Sequence, residues 1–329
     1  MLLLENPNNW IEFINTNESS SIFHHPAWFS VLSKSYGLQL KIKSQLKGGI
    51  PFVVKKGLRK VKYISLPFSD YMGLLNPEKV NDAIISEIKK NYHNIEIEIR
   101  DKYEGNGFQN ILFGYKHSLS LLLSEEEIFK SFKKTQVQQP IHKAIRNGLT
   151  ASIRTDYESI IQFYNLHLLT RKKLGVPIQP KKFFYHLWKE IINEGLGFVV
   201  KVSMNQKVIS SGIFAGFNKI LTYKFSASEP DFIIYRPNNL MLWSGIQEAK
   251  KRGFEIFDFG RTDLKAEGLR KFKLGWGTTE EPLYYSYYPK APENSNFKFV
   301  KNMIVAPIIK YSPKFVCRLS GELLYRYFG

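Results

Sequence analysis

The stretch GFVVKVSMNQKVISSGIFAGFNKILTYKFSAS, residues 197–228, decides how the second half of this chain folds. It is typical of three strands joined by the short polar turns MNQK and FNK. The segment NLMLWSGIQEAKKRG, 239–253, predicts a helix closed by glycine, and FEIFDFG, 254–260, predicts a further strand. Helical patterns over 156–175 and 181–195 precede the stretch. The order helix–helix–β–β–β–helix–β predicts a mixed α/β (α+β) structure.

The first half of the chain has a similar succession of elements. IEIEIR, 95–100, alternates strictly between apolar and charged residues and predicts a strand, and 79–92 predicts an amphipathic helix. The other predicted elements are helices over 19–37 and 124–134 and strands over 38–46, 50–56, 60–68 and 117–123. The resulting order is compatible with a diverged copy of the second half. We therefore predict domains over 1–150 and 151–290, followed by a basic amphipathic tail over 291–329.

Composition narrows the class of protein. The 329 residues carry a net charge of +18, and segment 130–190 alone holds twelve Lys or Arg against three acids. This clustering predicts an anion-facing surface there, although a solvated helix face explains any single lysine equally well. The single cysteine, Cys317, excludes an internal disulfide framework and a cysteine-rich zinc site. Neither a secretory signal nor an apolar run of the ~18 residues that span a bilayer occurs, so we expect a cytoplasmic protein.

Three segments carry candidate binding residues. In LPFSDYMGL, 66–74, the residues Ser69, Asp70 and Tyr71 form either a turn, which spacing alone favours, or a loop that contacts substrate. In HLLTRKKLGVP, 167–177, the basic residues around Arg171 suit a helix C-terminus that ends at Gly-x-Pro. Neither segment indicates a function by itself.

The third segment favours a site over a purely structural loop. Charged residues alternate with aromatic residues and glycines after an apolar strand, where ligands bind in open α/β sheets. The candidates are Asp258, Arg261, Asp263, Arg270, Phe272, Lys273 and Trp276. The structural alternative is an Asp258–Arg261 ion pair. Phosphate-loop, nucleophile-elbow and zinc motifs are missing and the seven histidines lack ligand spacing, so we expect no metal.

Together, LPFSDYMGLL, HLLTRKKLGVPIQP and FDFGRTD…EGLRKFKLGWGTTEEPLYYSYY resemble the FemABX-like branch of the GNAT superfamily of acyltransferases, over about Phe23 to Tyr288. The resemblance implies two tandem GNAT-like subdomains with the acceptor in a cleft between them. It also implies aminoacyl or acyl transfer to an amine on a peptidoglycan or envelope-polysaccharide precursor. A Phe-Lys pair that serves the transfer in such enzymes aligns with Phe272 and Lys273, and an acidic cleft residue aligns with Asp70.

For such a transfer we hypothesise the following roles. Lys273 would lie beside the leaving group between Phe272 and Trp276, and Asp70 would orient or deprotonate the amine. Tyr223 or Tyr235 would donate a proton, and the strand end at Tyr223 would offer backbone N–H groups to the carbonyl. Arg171 and Arg261 would anchor phosphates through bidentate hydrogen bonds. The remaining predicted substrate-binding residues are Ser69, Tyr71, Arg236, Asp258, Asp263 and Arg270.

The sequence differs from that of typical GNAT enzymes in the loop that usually binds acetyl-CoA. The glycine-rich pyrophosphate signature of GNAT enzymes is replaced by Ile234-Tyr235-Arg236-Pro237-Asn238-Asn239. The donor, aminoacyl-tRNA or acyl-CoA, is expected as a co-substrate, with no tightly bound cofactor. The alternatives are an acyl-CoA-dependent N-acyltransferase for an amino sugar and a non-catalytic scaffold in envelope assembly.

Partners follow from charge and resemblance. We expect a phosphate-bearing or lipid-linked envelope precursor, with tRNA as a possible donor and without sequence-specific DNA binding. The tail over 291–329 carries six Lys or Arg and two acids among apolar residues. It is expected to form a docking helix pair. The alternative is a segment that binds the anionic inner face of the plasma membrane.

Overall fold

A computed structural model describes residues 3–4, 7–45, 48–57, 60–76, 78–92, 94–292 and 306–325. Within these ranges one mixed sheet contains all the strands: β1 (Leu3–Leu4), β2 (Leu40–Gln45), β3 (Gly48–Lys56), β4 (Val61–Ile64), β5 (Ile95–Ile99), β6 (Gln109–Ser120), β7 (Thr150–Arg154), β8 (Gly197–Met204), β9 (Lys207–Phe217), β10 (Ile220–Ser228), β11 (Ile256–Asp263) and β12 (Thr279–Tyr288).

The α-helices are α1 (Pro7–Thr16), α2 (Pro26–Tyr36), α3 (Glu78–Lys90), α4 (Glu125–Ser131), α5 (Gln139–Arg146), α6 (Tyr157–Lys173), α7 (Lys181–Leu187), α8 (Pro237–Lys251), α9 (Glu267–Leu274), α10 (Ala306–Tyr311) and α11 (Lys314–Leu324). A π-helical turn leads into α5 and another follows α7. No helix of the described residues is both long and apolar enough to cross a membrane.

The sheet order is β1-β2-β3-β4-β5-β12-β6-β11-β10-β9-β8-β7. Strand β12, the last strand described, lies between β5 and β6 and is antiparallel to both. Its Ser286 is paired with Ile99 of β5 and with Asn110 of β6. The backbone hydrogen bonds of β12 therefore join the two halves of the chain.

One hydrophobic core contains side chains from both halves. Trp28 and Phe29 of α2 pack in the same core as Phe163 of α6 and Phe183 and Phe184 of α7. Because apolar residues this large dominate the free energy gained by burial, the halves stabilise each other.

The other face of β8–β11 is covered by α5 and α8. Phe214 packs there, and it alternates with Ile213 and Ala215, which face the shared core. Leu119 and Ile141, from before residue 150, also belong to this second core. The division into 1–150 and 151–290 stays a prediction, but packing puts the segment around 119–149 with the second half.

The predicted element order is confirmed in both halves. Helix α4 begins with a reciprocal pair in which Ser124 accepts from the backbone N–H of Glu127 and donates to its carboxylate. Strands β1, β7 and β12 and helices α1 and α9 were not predicted as separate elements. Polar and glycine residues interrupt their apolar pattern, so the sequence alone gives them no clear period.

The tail forms the predicted docking helices where it is described. Ile309 and Cys317 are buried in the shared core, and Lys172 donates to the carbonyl of Lys310. Residues 293–305 and 326–329 of the predicted tail lie outside the described residues.

The basic segment 130–190 does not form one surface. Helix α5 packs with α8 on one face of the sheet, whereas α6 packs on β9 and β10 on the other face. The expectation of a single anion-facing surface is therefore wrong, because the strands of the second half separate its two ends.

Candidate active site

A cleft of about 1080 Å³ lies between the two halves, over the middle of the sheet. Both halves contribute to its walls, as does Tyr325, which directly follows α11. Its polar and charged lining residues are Ser69, Asp70, Glu98, Arg100, Arg171, Gln179, Lys224, Arg261, Asp263 and Lys265. Its aromatic lining residues are Tyr36, Phe68, Phe113, Phe183, Phe225, Tyr285, Tyr287 and Tyr325.

Strands β10 and β11 part at this cleft. Their parallel pairing runs from Ile220 with Ile256 to Thr222 with Asp258 and then stops. Beyond that point the register of β10 against β9 shifts, which leaves Lys224 as an extra residue in a bulge. Bulges re-aim side chains, so a lysine from the second half points into the cleft.

A second bulge lies beside the first, in β11 between Asp258 and Arg261. It contains Gly260, whose φ is +69°. Residues with a side chain rarely adopt this backbone conformation. A Cβ at this position would lie 3.1 Å from Oδ2 of Asp70. The glycine therefore allows both the bulge and the close approach of the loop that carries Asp70.

Asp70 and Lys224 form an ion pair across the two halves. The Lys224 Nζ lies 3.1 Å from Oδ2 of Asp70, and the lysine side chain is 5% exposed against 30% for the aspartate. The ammonium also lies near the rings of Phe23, Trp28 and Phe225. Burial acts to raise the pKa of Asp70, but neighbouring cations, Lys224 foremost, outweigh it and hold that pKa below its usual value. Asp70 is therefore ionised.

Asp258 stabilises the β11 bulge and does not line the cleft. Its Oδ2 accepts from Tyr71 Oη at 2.7 Å and from Thr222 Oγ1 at 3.2 Å, and its Oδ1 accepts from the Gly260 N–H at 2.7 Å. Burial raises the pKa of Asp258. The carboxyl thereby ties the loop of Tyr71 to the point where the strands part.

The structural alternative of an Asp258–Arg261 pair is wrong. Arg261 Nε lies 3.0 Å from Oδ1 of Asp263, and its Nη1 donates to Tyr285 Oη at 3.1 Å. Because the β11 bulge separates Asp258 from Arg261 along the strand, the two side chains have different partners.

Lys273 lies behind the β11 bulge and not in the cleft lining. It is 4% exposed, and its Nζ donates to the carbonyl oxygens of Gly260 and Arg261, each at 2.9 Å. Burial lowers the pKa of Lys273 to about 8. In this arrangement the ammonium holds the main chain of the bulge.

The structure brings five of the predicted site residues together in the cleft: Ser69, Asp70, Arg171, Arg261 and Asp263. Tyr71 and Asp258 line a neighbouring cavity of about 470 Å³. The two cavities are separated by the loop in which Asp70 and Tyr71 are adjacent. The segment 66–74 was predicted to be either a turn or a loop that contacts substrate. Its residues line both cavities, as a binding loop would.

The other predicted residues are outside both linings. Trp276 is buried and Phe272 and Tyr223 are partly buried in the core under α8. Burial raises the pKa of Tyr223 to about 12, which makes it a poor proton donor. Arg270 binds both carboxylate oxygens of Glu280.

Tyr235 and Arg236 lie at the start of α8. Arg236 is exposed with a φ of +63°, and no side chain caps the helix there. Pro237 follows as the first helical residue, and it lacks the N–H that a pyrophosphate would use. The loop therefore does not fit the usual phosphate cradle of a GNAT enzyme.

Sequence reasoning missed Lys224, Arg100 and Tyr285. Arg100 donates to the carbonyl of Ser69 at 2.8 Å, and Tyr285 donates to the carbonyl of Asp70 at 2.7 Å, so both hold the cleft loop. The only signal for Lys224 was a single lysine within the apolar strand ILTYKFSAS. Its position in the cleft depends on a bulge that single-sequence periodicity does not reveal.

The cleft is basic overall. Its lining contains five Lys or Arg and three acids, and each acid lies against a cation: Asp70–Lys224, Asp263–Arg261 and Glu98–Arg100. Arg171 donates instead to the carbonyl of Pro177, and Lys265 is exposed. Among the described residues no group of His, Cys, Asp or Glu could hold a metal.

Residues 131–281 match the family model of the GNAT acetyltransferase domain. No curated protein shows a significant sequence match to the chain. The fold, in contrast, has many solved counterparts. FemX matches with a TM-score of 0.70 at 14% identity, and the alignment covers 90% of this chain and 98% of FemX.

Two other structures cover both halves of the chain. A C-terminal domain described as that of a lysylphosphatidylglycerol synthetase from Agrobacterium fabrum has a TM-score of 0.58 at 12% identity, covering 93% of this chain and 98% of that one. A tandem GNAT protein from the clavulanic acid biosynthesis pathway has a TM-score of 0.52 at 8% identity, covering 88% and 96%. Residues 131–281 thus match the GNAT acetyltransferase domain, and the whole chain has the fold that FemX has.

Proposed function

We propose that this protein transfers an aminoacyl or acyl group to an amine on a phosphate-bearing cell-envelope precursor. The observation that carries the proposal is the parting of β10 and β11 at Thr222 and Asp258, directly beside the basic cleft between the halves. Where paired strands part, backbone N–H and C=O groups become free to bind an extended substrate.

The charge of the cleft supports a phosphate-bearing acceptor. The cations of the lining outnumber its acids, and the guanidinium groups of Arg171 and Arg261 both border the cavity. An arginine can bind two phosphate oxygens in parallel, which suits it to this role. The likeness in fold to FemX and to a domain described as lysylphosphatidylglycerol synthetase supports an aminoacyl donor and an envelope acceptor.

The reaction makes an amide bond. The free amine attacks the ester or thioester carbonyl, the carbonyl–oxygen or carbonyl–sulfur bond breaks, and the proton lost by the amine goes to the leaving atom. Charge develops on the carbonyl oxygen during the attack, so a preorganised cation lowers the barrier. Lys224 is the cation best placed for this in the cleft, with its side chain 5% exposed.

Asp70 suits orientation of the amine. A carboxylate with a lowered pKa is a weak base, so it attracts and aligns an amine more readily than it removes a proton. Lys273 acts on the site indirectly, because it donates hydrogen bonds to the main-chain carbonyl oxygens of Gly260 and Arg261. We assign it to the positioning of the bulge, which aims Arg261 at the cleft.

The start of α8 favours aminoacyl-tRNA over acyl-CoA as donor. Arg236 and Pro237 replace the glycines that would let a CoA pyrophosphate approach the helix. The 3′ end of a charged tRNA needs no such cradle, because its ester is carried on a ribose hydroxyl. Acyl-CoA-dependent transfer to an amino sugar remains the second candidate, since the domain model is that of an acetyltransferase.

The test supplies the purified protein with an amine-bearing, phosphate-linked envelope precursor and either charged tRNA or acyl-CoA. Mass spectrometry then detects the acylated amine. A product from charged tRNA supports the proposal, and a product from acyl-CoA alone supports the second candidate. If neither donor gives a product or raises the melting temperature, the transferase proposal fails in favour of a scaffold.

A further inference from the structure

The outer face of the tail helices presents large apolar side chains to solvent. Two of them lie three residues apart on α10, and two lie four residues apart on α11. Ile308 is 53% exposed, Tyr311 80%, Phe315 61% and Leu319 54%. Isolated exposed apolar residues are common, but four large ones on one short helix pair indicate an interaction surface, which we call the patch.

The opposite face of the same helices is fixed in place. Cys317 and Ile309 are buried in the shared core, and a Cβ at Gly321 would lie 2.0 Å from the carbonyl oxygen of Ile178. Such close backbone contact holds α11 against the chain segment that follows α6. The outward direction of Phe315 and Leu319 is therefore set by packing on the other face.

Basic side chains surround the patch. Lys310, Lys314 and Arg318 are exposed on the two helices. Lys172 donates to the carbonyl of Lys310, which puts the basic end of α6 beside the tail. The one acid of the described tail, Glu322, accepts from the backbone N–H of Lys181 and is turned toward α7.

We propose that this apolar and basic face of α10 and α11 binds a membrane surface that contains acidic phospholipids. Apolar side chains enter the headgroup boundary while lysine and arginine contact lipid phosphates, and the two contributions add. A second copy of this chain is disfavoured by the charge, because it would bring like charges together. The inference does not rest on the proposed function.

The apolar and basic face of α10 and α11 lies next to one end of the cleft. Tyr325 directly follows α11 and lines the cleft, where its ring stacks on Phe68 and Tyr36. A membrane held by α10 and α11 would therefore lie near the aromatic end of the cleft. This arrangement suits an acceptor whose phosphate is attached to a lipid in that membrane.

The test is sedimentation of the full chain with vesicles of phosphatidylcholine alone or mixed with phosphatidylglycerol. We expect binding to the mixed vesicles only, weakened by salt. The double variant Phe315→Ser/Leu319→Ser should reduce partitioning by ~10-fold or more, and the charge-reversal variant Lys314→Glu/Arg318→Glu by a similar factor. Circular dichroism and thermal unfolding check that each variant is folded.

The matched control is Leu122→Ser/Leu123→Ser. These two leucines are 71% and 51% exposed, on the loop between β6 and α4, away from the tail. Their replacement should leave vesicle binding unchanged. The proposal is overturned if wild-type protein does not bind the acidic vesicles. It is equally overturned if the tail variants bind as wild type does, or if Phe315→Ser/Leu319→Ser only abolishes a dimer seen by light scattering.

Discussion

Lys273 carries a charge in surroundings that disfavour charge. Its ammonium is buried behind the β11 bulge, where two carbonyl oxygens accept its hydrogen bonds, and its pKa falls from an ordinary 10.5 to about 8. Such a group costs stability whenever it is protonated in the folded state. The hydrogen bonds of the buried ammonium offset part of this cost and hold the bulge that directs Arg261 to the cleft.

The lowered pKa of Lys273 makes a pH-dependent prediction about stability. Below pH 8 the lysine is charged in both states, and above 10.5 it is neutral in both. Between these values the unfolded chain binds more protons, so stability rises with pH. Relative to Lys273→Met, the wild type should gain about 3 kcal/mol in its free energy of unfolding across this range. Urea denaturation at several pH values measures the difference, and a constant difference contradicts the assignment.

Lys273 should also affect the reaction. We expect Lys273→Ala to lower turnover by ~10²-fold, because displacement of a site by about 1 Å has effects of this size. A positioning role predicts more than a loss of rate, since the pH–rate profile of the wild type should show an inflection near 8 that the variant lacks. An unchanged rate in a folded variant rules out the role.

At the scale of elements, Gly260 controls how closely the cleft loop approaches β11. Its φ of +69° and the 3.1 Å between its missing Cβ and Asp70 are two separate constraints. Gly253 has a φ of +83° but nothing within 4 Å of its Cβ position, so it isolates the backbone constraint. A comparison of alanine substitutions at Gly253 and Gly260 therefore distinguishes the effect of backbone strain from the effect of displacing Asp70.

Gly253→Ala should destabilise the protein by about 1–2 kcal/mol and leave transfer activity unchanged. Gly260→Ala should cost at least as much stability and also lower kcat/KM by ~10-fold or more, because it displaces Asp70. Denaturant unfolding and steady-state kinetics on both variants provide the comparison. Equal activities of the two folded variants would show that the approach of Asp70 to Gly260 has no part in the reaction.

The tail gives a second prediction at this scale. Cys317 is buried between α11 and the shared core, and burial raises its pKa, so its thiol should react slowly with a disulfide reagent. Gly321→Ala, whose Cβ would meet the Ile178 carbonyl at 2.0 Å, should detach α11 and speed that reaction by ~10-fold or more. Gly268→Ala, with no atom within 4 Å, is the control. Equally slow thiols in both variants would contradict this docking.

Local chemistry allowed most of the elements to be predicted from sequence. The Ser124 cap and the glycine that ends α2 in a left-handed conformation mark helix ends through hydrogen bonds between near neighbours. The insertion of β12 between β5 and β6 could not be predicted in this way. It pairs Ser286 with Ile99, residues far apart in sequence whose pairing leaves no period in either segment.

The site was predicted less completely for the same reason. Asp70 was proposed from the family resemblance and Arg261 from its neighbours in sequence, and both lie in the cleft. Lys224 reaches the cleft through a bulge that arises where β10 pairs with β9 on one side and parts from β11 on the other. Likewise, Lys273 was expected to act at the leaving group because of the family resemblance and its aromatic neighbours in sequence. Those aromatic residues, Phe272 and Trp276, instead pack in the core.

At the scale of the whole molecule, the shared core and β12 make the two halves depend on each other. Residues of α2, α6 and α7 pack in one core, and β12, which belongs to the second half, pairs with β5 and β6 of the first half. Calorimetry should therefore give a single unfolding transition, and a fragment of residues 1–150 should not fold alone, because it lacks both. Two well-separated transitions, or a folded fragment, would show that the halves are independent domains.

We propose that the transfer occurs in the cleft between the halves, beside the Asp70–Lys224 pair. The most direct test is kcat/KM for acyl transfer by the wild type, by Lys224→Met and by Lys207→Met, whose lysine pairs with Glu229 outside the cleft. We expect a ~10²-fold loss for Lys224→Met, on the scale of losing one transition-state donor, and an unchanged value for Lys207→Met. Equal rates for wild type and a folded Lys224→Met variant would contradict it.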